Sequence, residues 1–317
     1  MITVSDNTLL NTYLHKPRRN IISDLIAGKL LPSTIWHKRS YRFKFMLRTA
    51  LFYTPTCRML EKLGQRSDFE QMLKAQVTLP SKPHRQYLVR GLNANQRADA
   101  VINHYQFVDG LPSRQLAAAL TSVSETQLVT FCGKEDSQFT LSACCAKSAE
   151  REGESTIWLR DGNENVIASL TFSVMRENDQ WHLVIGGLQG PRKQISHDVI
   201  KQATRACHGL FPKRVIMEFI WQFAAQTNIS GIYGVSDNGH VFRALRYRLS
   251  KGRHFHASYD EFWQSIEGVK QNSWRWQLPQ QLERKTLENI ASKKRAEYRR
   301  RFQLLDEMAE QVAKLAA

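Results

Sequence analysis

The residues best suited to acid–base chemistry follow an apolar segment, 229–235, which the sequence predicts to be a strand. Asp237 and His240 come directly after it. An imidazole titrates near neutral pH, and a carboxylate beside it can orient it as a general base. The alternative is that Asp237 caps a helix and that His240 lies on the surface. Asp260 and Glu261 are the other two carboxylates predicted as catalytic bases.

A glycine-rich segment, Gly186 to Lys193, is the best candidate for binding a phosphate. It leaves a predicted strand and leads to a predicted helix near Ser196, so free backbone N–H groups and a positive helix end would meet there. The alternative is a turn that merely needs glycine, and Pro191 removes one donor. The predicted cofactor-binding residues are Gly187, Gln189, Gly190, Arg192 and Lys193.

A basic and aromatic segment lies near the N-terminus. No acidic residue occurs between Leu25 and Leu60, where cations alternate with aromatic side chains. Such a segment can bind RNA through phosphates and base stacking, or lie on an anionic membrane. Because the apolar residues of 43–53 occur all round a helix, the pattern favours a core helix with a solvated basic end. The cations assigned to polyanion binding are Lys38, Arg39 and Arg42, together with Arg299, Arg300 and Arg301 near the C-terminus.

The composition is that of a globular protein with an unusual charge. Of 317 residues, 42% are hydrophobic, and 45 Lys and Arg against 29 Asp and Glu give a net charge of +16. Such a surface attracts nucleic acid, anionic lipid or phosphorylated cofactors. The five cysteines match no zinc pattern, so we expect free thiols and no metal. The sequence has no apolar segment near the roughly 18 residues of a membrane span and no signal-like start. We therefore predict a cytoplasmic protein that can associate peripherally with the inner membrane.

Helical patterns precede and follow a central group of strands. Asn93 or Asn95 begins the first of two helices within 92–120, and an earlier helix runs from Ile35 until Pro55 ends it. Short segments rich in Thr, Val, Ile and Phe predict an antiparallel meander with strands at 127–132, 138–145, 155–160, 166–174 and 181–185. Helices then follow Ser196 and Pro212, and a long basic helix covers 283–315.

These patterns predict an α+β protein in three parts. A helical basic-aromatic region covers 1–80, an α+β domain covers 84–280, and a C-terminal helix at 281–317 packs on that domain. The segment Leu79 to Pro83 contains two prolines and is the predicted linker between the first two parts.

The order of features resembles that of the VirK/YbjX family of enterobacterial proteins over nearly the whole chain. The matching motifs are Trp36-His37-Lys38 with the basic-aromatic helix, Ile185 to Gly190, Gly234-Val235-Ser236 with His240, Arg246-Tyr247, Tyr259 to Trp263, and Lys293 to Arg301. The resemblance implies a virulence-associated protein that supports the cell envelope, through display of outer-membrane virulence proteins and tolerance of antimicrobial peptides.

The order of elements over 127–265 is also similar to that of GNAT acyltransferases. In that fold, antiparallel strands lead to a loop whose amides hold the pyrophosphate of an acyl carrier. The similarity implies that coenzyme A or an acyl-carrier thioester binds at Leu188 to Lys193, although this segment differs from the usual loop in glycine spacing and in Pro191. The acyltransferase hypothesis requires this segment and Asp237 with His240 to border one shared cavity.

Overall fold

Helices pack on both faces of one mixed sheet, which confirms the predicted α+β class. The computed structural model describes residues 20–191, 195–243 and 258–317. The helices are α1 (Asn20–Ala27), α2 (Thr34–His37), α3 (Arg39–Leu51), α4 (Tyr53–Leu63), α5 (Phe69–Ala75), α6 (Ala94–Asp109), α7 (Arg114–Thr121), α8 (His197–Ala206), α9 (Pro212–Ala225), α10 (Tyr259–Ser265) and α11 (Ser292–Ala316). The strands are β1 (Thr126–Cys132), β2 (Gln138–Cys145), β3 (Ser155–Asp161), β4 (Val166–Glu177), β5 (Gln180–Gln189), β6 (Ile229–Val235), β7 (Val269–Lys270) and β8 (Arg275–Leu278).

The sheet has the strand order β1-β2-β3-β4-β5-β6-β8-β7. Within the described residues every neighbouring pair is antiparallel except β5 and β6, which run parallel from Trp181 opposite Ile229 to Ile185 opposite Gly234. The pairing of β4 with β5 shifts at Gly186, which adds one residue to β5 and forms a bulge. The parallel pairing ends at Ile185 and Gly234, directly before this bulge, and β5 then continues along β4 to Gln189.

Alternate residues of the central strands enter two hydrophobic cores. Leu183 and Ile185 face the core shared with α8, α9 and α11, whereas Val184 faces the core formed by the N-terminal helices. This alternation follows from the two-residue period of a strand. The N-terminal helices thus cover one face of the sheet near β4 to β6, and the later helices cover the opposite face.

The N-terminal helices begin and end partly where the sequence predicted. Asn93 accepts from Gln96 N–H in a complete capping box, which confirms it as the start of α6. The helix predicted from Ile35 to Pro55 is wrong, since the chain breaks after His37 and again at Phe52. Pro55 lies in the first turn of α4, where a missing N–H donor costs little.

The segment predicted as a linker is a 3₁₀ helix, Leu79–His84, whose residues are all buried. The Lys82 ammonium pairs with the Glu154 carboxylate at the start of β3, so the segment ties the N-terminal helices to the sheet. The boundary between the first two predicted parts stays a prediction.

The second half of the chain follows the predicted pattern with two differences. Ser196 caps α8, Pro212 opens α9, and β6 has the predicted bounds. However, β5 continues through Gln189, so Gly186 and Gly187, predicted as part of a turn, are strand residues, and only Gly190 follows the strand. The C-terminal helix begins at Ser292 instead of 283. The chain before it is held in irregular structure, where Pro279 O accepts from the Trp221 indole and Gln280 donates to Ser230 O.

Candidate functional site

The end of β5 accepts a loop that carries a buried carboxylate, Glu152. A Cβ on Gly186 would lie 2.0 Å from the Glu152 carbonyl oxygen, and one on Gly187 would lie 1.9 Å from Glu152 Oε2. Only glycine therefore allows the loop to approach this closely. The glycine pair predicted to bind phosphate is covered by Glu152.

Glu152 lies between the ends of the two parallel strands. Its Oε2 accepts from Gln189 Nε2 at 3.1 Å, and its Oε1 lies 3.4 Å from His240 Nε2. Glu152 is 2% exposed and His240 is 0% exposed. A buried carboxylate beside an imidazole can exchange a proton with it or hold it in one orientation.

His240 is fixed by the turn that follows β6. Ser236 Oγ accepts from Gly239 N–H, and His240 N–H donates to Ser236 O. Phe242 N–H donates to His240 Nδ1 at 3.3 Å, which favours the tautomer with its proton on Nε2, facing Glu152. The ring also stacks on Tyr259, with centroids 5.4 Å apart.

The predicted partner of His240, Asp237, helps to begin α10. Its Oδ1 accepts from Tyr259 N–H at 2.8 Å, while its own N–H donates to Asp260 Oδ1 at 2.9 Å. Asp237 therefore caps a helix, as in the alternative, but the helix is α10 and not one that follows directly; His240, which that alternative placed on the surface, is buried. The carboxylate observed within 4 Å of His240 Nε2 is Glu152, which the sequence analysis missed.

The other two predicted bases lie on α10. Burial raises the pKa of Asp260, but donors from Lys270, from the Asp237 backbone and from Trp276 outweigh it, so the pKa lies below its usual value. A carboxylate held in this way is a weaker base. Glu261 is exposed to solvent.

Tyr259 occupies the space between the ends of β5 and β6. Its hydroxyl accepts from Leu188 N–H at 3.3 Å, and burial raises its pKa. Beyond it, the Trp263 indole donates to Val235 O. The strand ends and His240 do approach each other, as the acyltransferase hypothesis requires. The space they border is filled by Tyr259 and Glu152, not by an open cavity.

An open cleft of about 560 Å³ lies next to this filled centre. Gly190 and Pro191 border it at the end of β5, Phe211 and Lys213 at the start of α9, and Phe262 on α10. Of the predicted cofactor-binding residues, Gly190 thus reaches open space, while Arg192 and Lys193 lie outside the described residues.

The predicted polyanion-binding residues divide into held and exposed side chains. Arg42 donates to Ile26 O and Trp36 O, and both Nε and Nη2 of Arg301 donate to His208 O, so these two guanidinium groups stabilise the chain itself. The exposed ones are Lys38, Arg39, Arg299 and Arg300.

Helix α3 is not the buried helix that the sequence favoured. Its inner face buries Phe45 and Thr49, but its outer face leaves Phe43 57%, Leu47 49% and Leu51 78% exposed. These three residues recur every four positions and therefore share one side of the helix.

Three of the five cysteines, Cys144, Cys145 and Cys207, are buried, whereas Cys57 is half-buried and Cys132 is exposed. Burial raises the pKa of Cys145 to about 11 and that of Cys207 to about 12, which disfavours the reactive thiolate. Over residues 20–191, 195–243 and 258–317, no group of three or more His, Cys, Asp or Glu is placed to hold a metal ion. In the same ranges, none of the helices combines the length and the apolar character that crossing a bilayer requires.

Comparison with known proteins identifies relatives along most of the chain. A family described as "Protein of unknown function (DUF535)" matches residues 34–314. "Uncharacterized protein YbjX" of Escherichia coli K12 is 37% identical over 93% of this chain and 89% of its own length. An "Uncharacterized protein" of Haemophilus influenzae is 31% identical over 70% of this chain and 72% of its own length.

A further relative is "Membrane protein LapB" of Mannheimia haemolytica, which is 27% identical over 62% of this chain and 85% of its own length. No solved structure is significantly similar to the chain. The family match covers well over half of the chain, and the identity to the Escherichia coli relative extends over nearly all of it. The chain therefore belongs to the DUF535 family, commonly called VirK/YbjX.

Proposed function

We propose that this protein supports the bacterial cell envelope by binding the surface of an anionic membrane through helix α3. The observation that carries the proposal is the exposed row of Phe43, Leu47 and Leu51. Soluble proteins rarely leave contiguous large apolar side chains in water unless a partner covers them. The exposed Tyr53 at the start of α4 extends the row.

The charges around the row specify which partner fits. Lys38, Arg39 and Lys44 are exposed beside it, and the sequence has no acidic residue from 25 to 60. Each basic side chain near an anionic leaflet contributes about 1 kcal/mol of attraction. An aromatic ring and two leucines can enter the boundary between headgroups and acyl chains. A second copy of the same cationic face would be repelled.

RNA fits this surface less well than lipid does. Single-stranded RNA needs flat rings on which bases stack, but Leu47 and Leu51 are aliphatic, and Leu51 is the most exposed residue of the row. The printed name of the Mannheimia haemolytica relative, "Membrane protein LapB", is in keeping with a lipid partner.

Vesicle co-sedimentation of the full chain tests the proposal. We expect binding to vesicles containing phosphatidylglycerol and little binding to phosphatidylcholine alone. Phe43→Ser/Leu47→Ser/Leu51→Ser and Lys38→Gln/Arg39→Gln/Lys44→Gln should each weaken binding about 100-fold. All six side chains are exposed to solvent, so we expect the variants to fold, and unchanged thermal unfolding would show that they do.

The matched control removes three exposed cations from α11 and the segment before it in Lys285→Gln/Lys293→Gln/Lys294→Gln. It lowers the net charge as much as the α3 charge variant does, but should retain most of the binding. Equal losses of binding in both charge variants, or full binding by the serine variant, would show that vesicle binding depends on net charge and not on the surface of α3. RNA binding that matches vesicle binding and ignores the serine substitutions would favour the RNA alternative.

An acyltransferase is the second candidate function, and the strand order favours it. One parallel pair, β5 and β6, within an otherwise antiparallel sheet followed by the β7–β8 hairpin is the GNAT order. The residues that would hold the thioester carrier do not fit it at Gly187 and Leu188, because Glu152 and Tyr259 occupy that space. His240 beside Glu152 would be the base of such an enzyme.

Thermal stabilisation by acyl-coenzyme A separates the two candidates. The transferase predicts a stabilisation that disappears in Arg192→Ala. No shift with acyl-coenzyme A or with acyl-carrier protein, in a chain that binds vesicles, would leave the membrane function alone.

A further inference from the structure

The cleft next to β5 has the chemistry of a lipid-binding site. Its walls are Ile167 of β4, Ile200 of α8, Pro212 at the start of α9 and Ile266 after α10, and Phe262 of α10 closes one side. A volume of about 560 Å³ lies within the range of pockets that hold small molecules. An apolar ligand would be stabilised in it by removal from water.

Two basic side chains, Lys213 and Arg214, line this otherwise apolar cleft, and within the described part of the chain Lys213 is the one without an acidic partner. The Lys213 ammonium lies 5.8 Å from the centre of the Phe262 ring. Among the described residues no carboxylate lies within ion-pair distance of it, whereas its neighbour Arg214 pairs with Glu218. Burial against the cleft wall removes part of the water around the ammonium and lowers the pKa of Lys213. An anion bound beside it would replace that lost hydration.

We propose that this cleft binds a single acyl chain bearing an anionic head group, with the chain against Ile200 and Phe262 and the head group at Lys213. The first turn of α9 also presents the positive end of a 14-residue helix at this place. A nucleotide fits less well, because a base and a ribose need several polar partners. Apart from the two basic residues the lining offers Ser265, whose hydroxyl already donates to Phe262 O.

The rim of the cleft is open enough for such a ligand to enter. Phe211, the residue before α9, is 65% exposed and borders the opening. Exposed aromatic side chains at the mouth of an apolar cleft can guide an acyl chain from water into it. This site goes beyond membrane docking, since none of its lining residues belongs to α3 or α4.

Displacement of a fluorescent fatty acid, measured below the micelle concentration, tests the proposal without any membrane. We expect palmitate to displace the probe and hexadecanol, which has the same chain and no charge, to be about 10-fold weaker. Lys213→Met should remove that difference between acid and alcohol. Palmitoyl-coenzyme A and lysophosphatidylglycerol then show whether a thioester or a lipid head group is preferred.

Two variants test whether the acyl chain lies in the cleft. Ser265→Trp and Ile200→Trp add an indole to the lining and should each abolish displacement, whereas Ala296→Trp on the exposed side of α11 should leave it intact. Thermal unfolding shows which variants fold, and one folded cleft variant is sufficient. The proposal would be overturned if a folded cleft variant bound the probe and released it to palmitate as the wild type does, or if the wild type bound palmitate and hexadecanol equally well.

Discussion

Two buried carboxylates stand on either side of Gly153, and their surroundings differ sharply. Glu154 pairs with the Lys82 ammonium and accepts from Tyr87 Oη at 2.6 Å and Tyr105 Oη at 2.9 Å. Glu152 accepts from Gln189 Nε2 and faces His240 Nε2. The first is surrounded by permanent donors, whereas the second adjoins a group that can gain or lose a proton.

The two neighbouring histidines repeat the contrast. His104, on the Glu154 side, accepts from Val174 N–H at Nδ1 and has Ser155 Oγ within 3.0 Å of Nε2. His240 also accepts a backbone N–H at Nδ1, but its Nε2 faces Glu152. The Glu154 side thus combines a cation with hydroxyl donors, whereas the Glu152 side places a carboxylate against an imidazole.

The largest effect should come from breaking the pair at Glu154. Lys82→Met leaves a carboxylate buried without its cation, and we expect the free energy of unfolding to fall by about 3–5 kcal/mol. Urea unfolding followed by circular dichroism measures it. The double variant Lys82→Met/Glu154→Gln should regain part of the loss, because no charge then remains buried. A loss below about 1 kcal/mol in Lys82→Met would contradict the structural role.

The second-largest effect should come from acid, which lowers the free energy of unfolding through His104, on the Glu154 side of the sheet. Burial, and then the charges of Lys82 and Arg66, lower the pKa of His104 from 6.5 to about 3. The unfolded chain binds this proton near pH 6.5 and the folded chain only near pH 3, so stability is full above pH 6.5 and falls below it. The free energy of unfolding should fall by about 1.4 kcal/mol per pH unit below pH 6.5, which amounts to a loss of about 2 kcal/mol at pH 5.

His104→Gln should remove this slope, at some cost in stability at neutral pH. His84 has a pKa also lowered to about 3, mainly by burial, and should contribute a second, independent slope. Unfolding free energies between pH 7 and pH 4 in His104→Gln and in the double variant with His84→Gln measure both. If the pH dependence of the unfolding free energy were unchanged in both variants, His104 and His84 would not be the groups that cause the loss of stability in acid.

Local signals account for what the sequence predicted of the fold. Asn93, Ser196 and Pro212 act within one turn of the chain, so each marks a helix start whatever packs on it. The strands over 126–189 are similarly predictable, because short segments rich in Thr, Val, Ile and Phe alternate with turn residues. Pro55 and the 79–84 segment were misread because their structure depends on what covers them.

The candidate site was only half visible for the same reason. His240 could be found from its residue type and its place after a strand, but Glu152 lies 88 positions earlier, in a loop with no pattern of its own. The Gly186–Gly187 pair was the available signal. It was interpreted as a phosphate loop because the sequence does not tell whether a ligand or another loop approaches the glycines.

A third test inserts one methyl group between β5 and the loop. In Gly187→Ala the new Cβ would lie 1.9 Å from Glu152 Oε2, so the Glu152 side chain must move, at about 1–2 kcal/mol. Shortening the partner in Gly187→Ala/Glu152→Ala should recover most of that stability relative to Glu152→Ala alone. Thermal or urea unfolding of the four members of this cycle gives the coupling. Additive losses would mean that the loop does not rest on Gly187.

The smallest effect should come from neutralising Glu152 in place. Glu152→Gln keeps the side chain's shape, and its amide oxygen still accepts from Gln189, but its NH2 group then faces the Nε2–H of His240, so we expect a loss of about 1 kcal/mol. Glu154→Gln, the matched change two residues away, leaves Lys82 buried without a counter-charge and should cost several times more. Measuring both by urea unfolding at one pH compares the two centres directly. Equal losses of unfolding free energy in the two variants would mean that the Glu152 carboxylate, like that of Glu154, serves mainly to stabilise the fold.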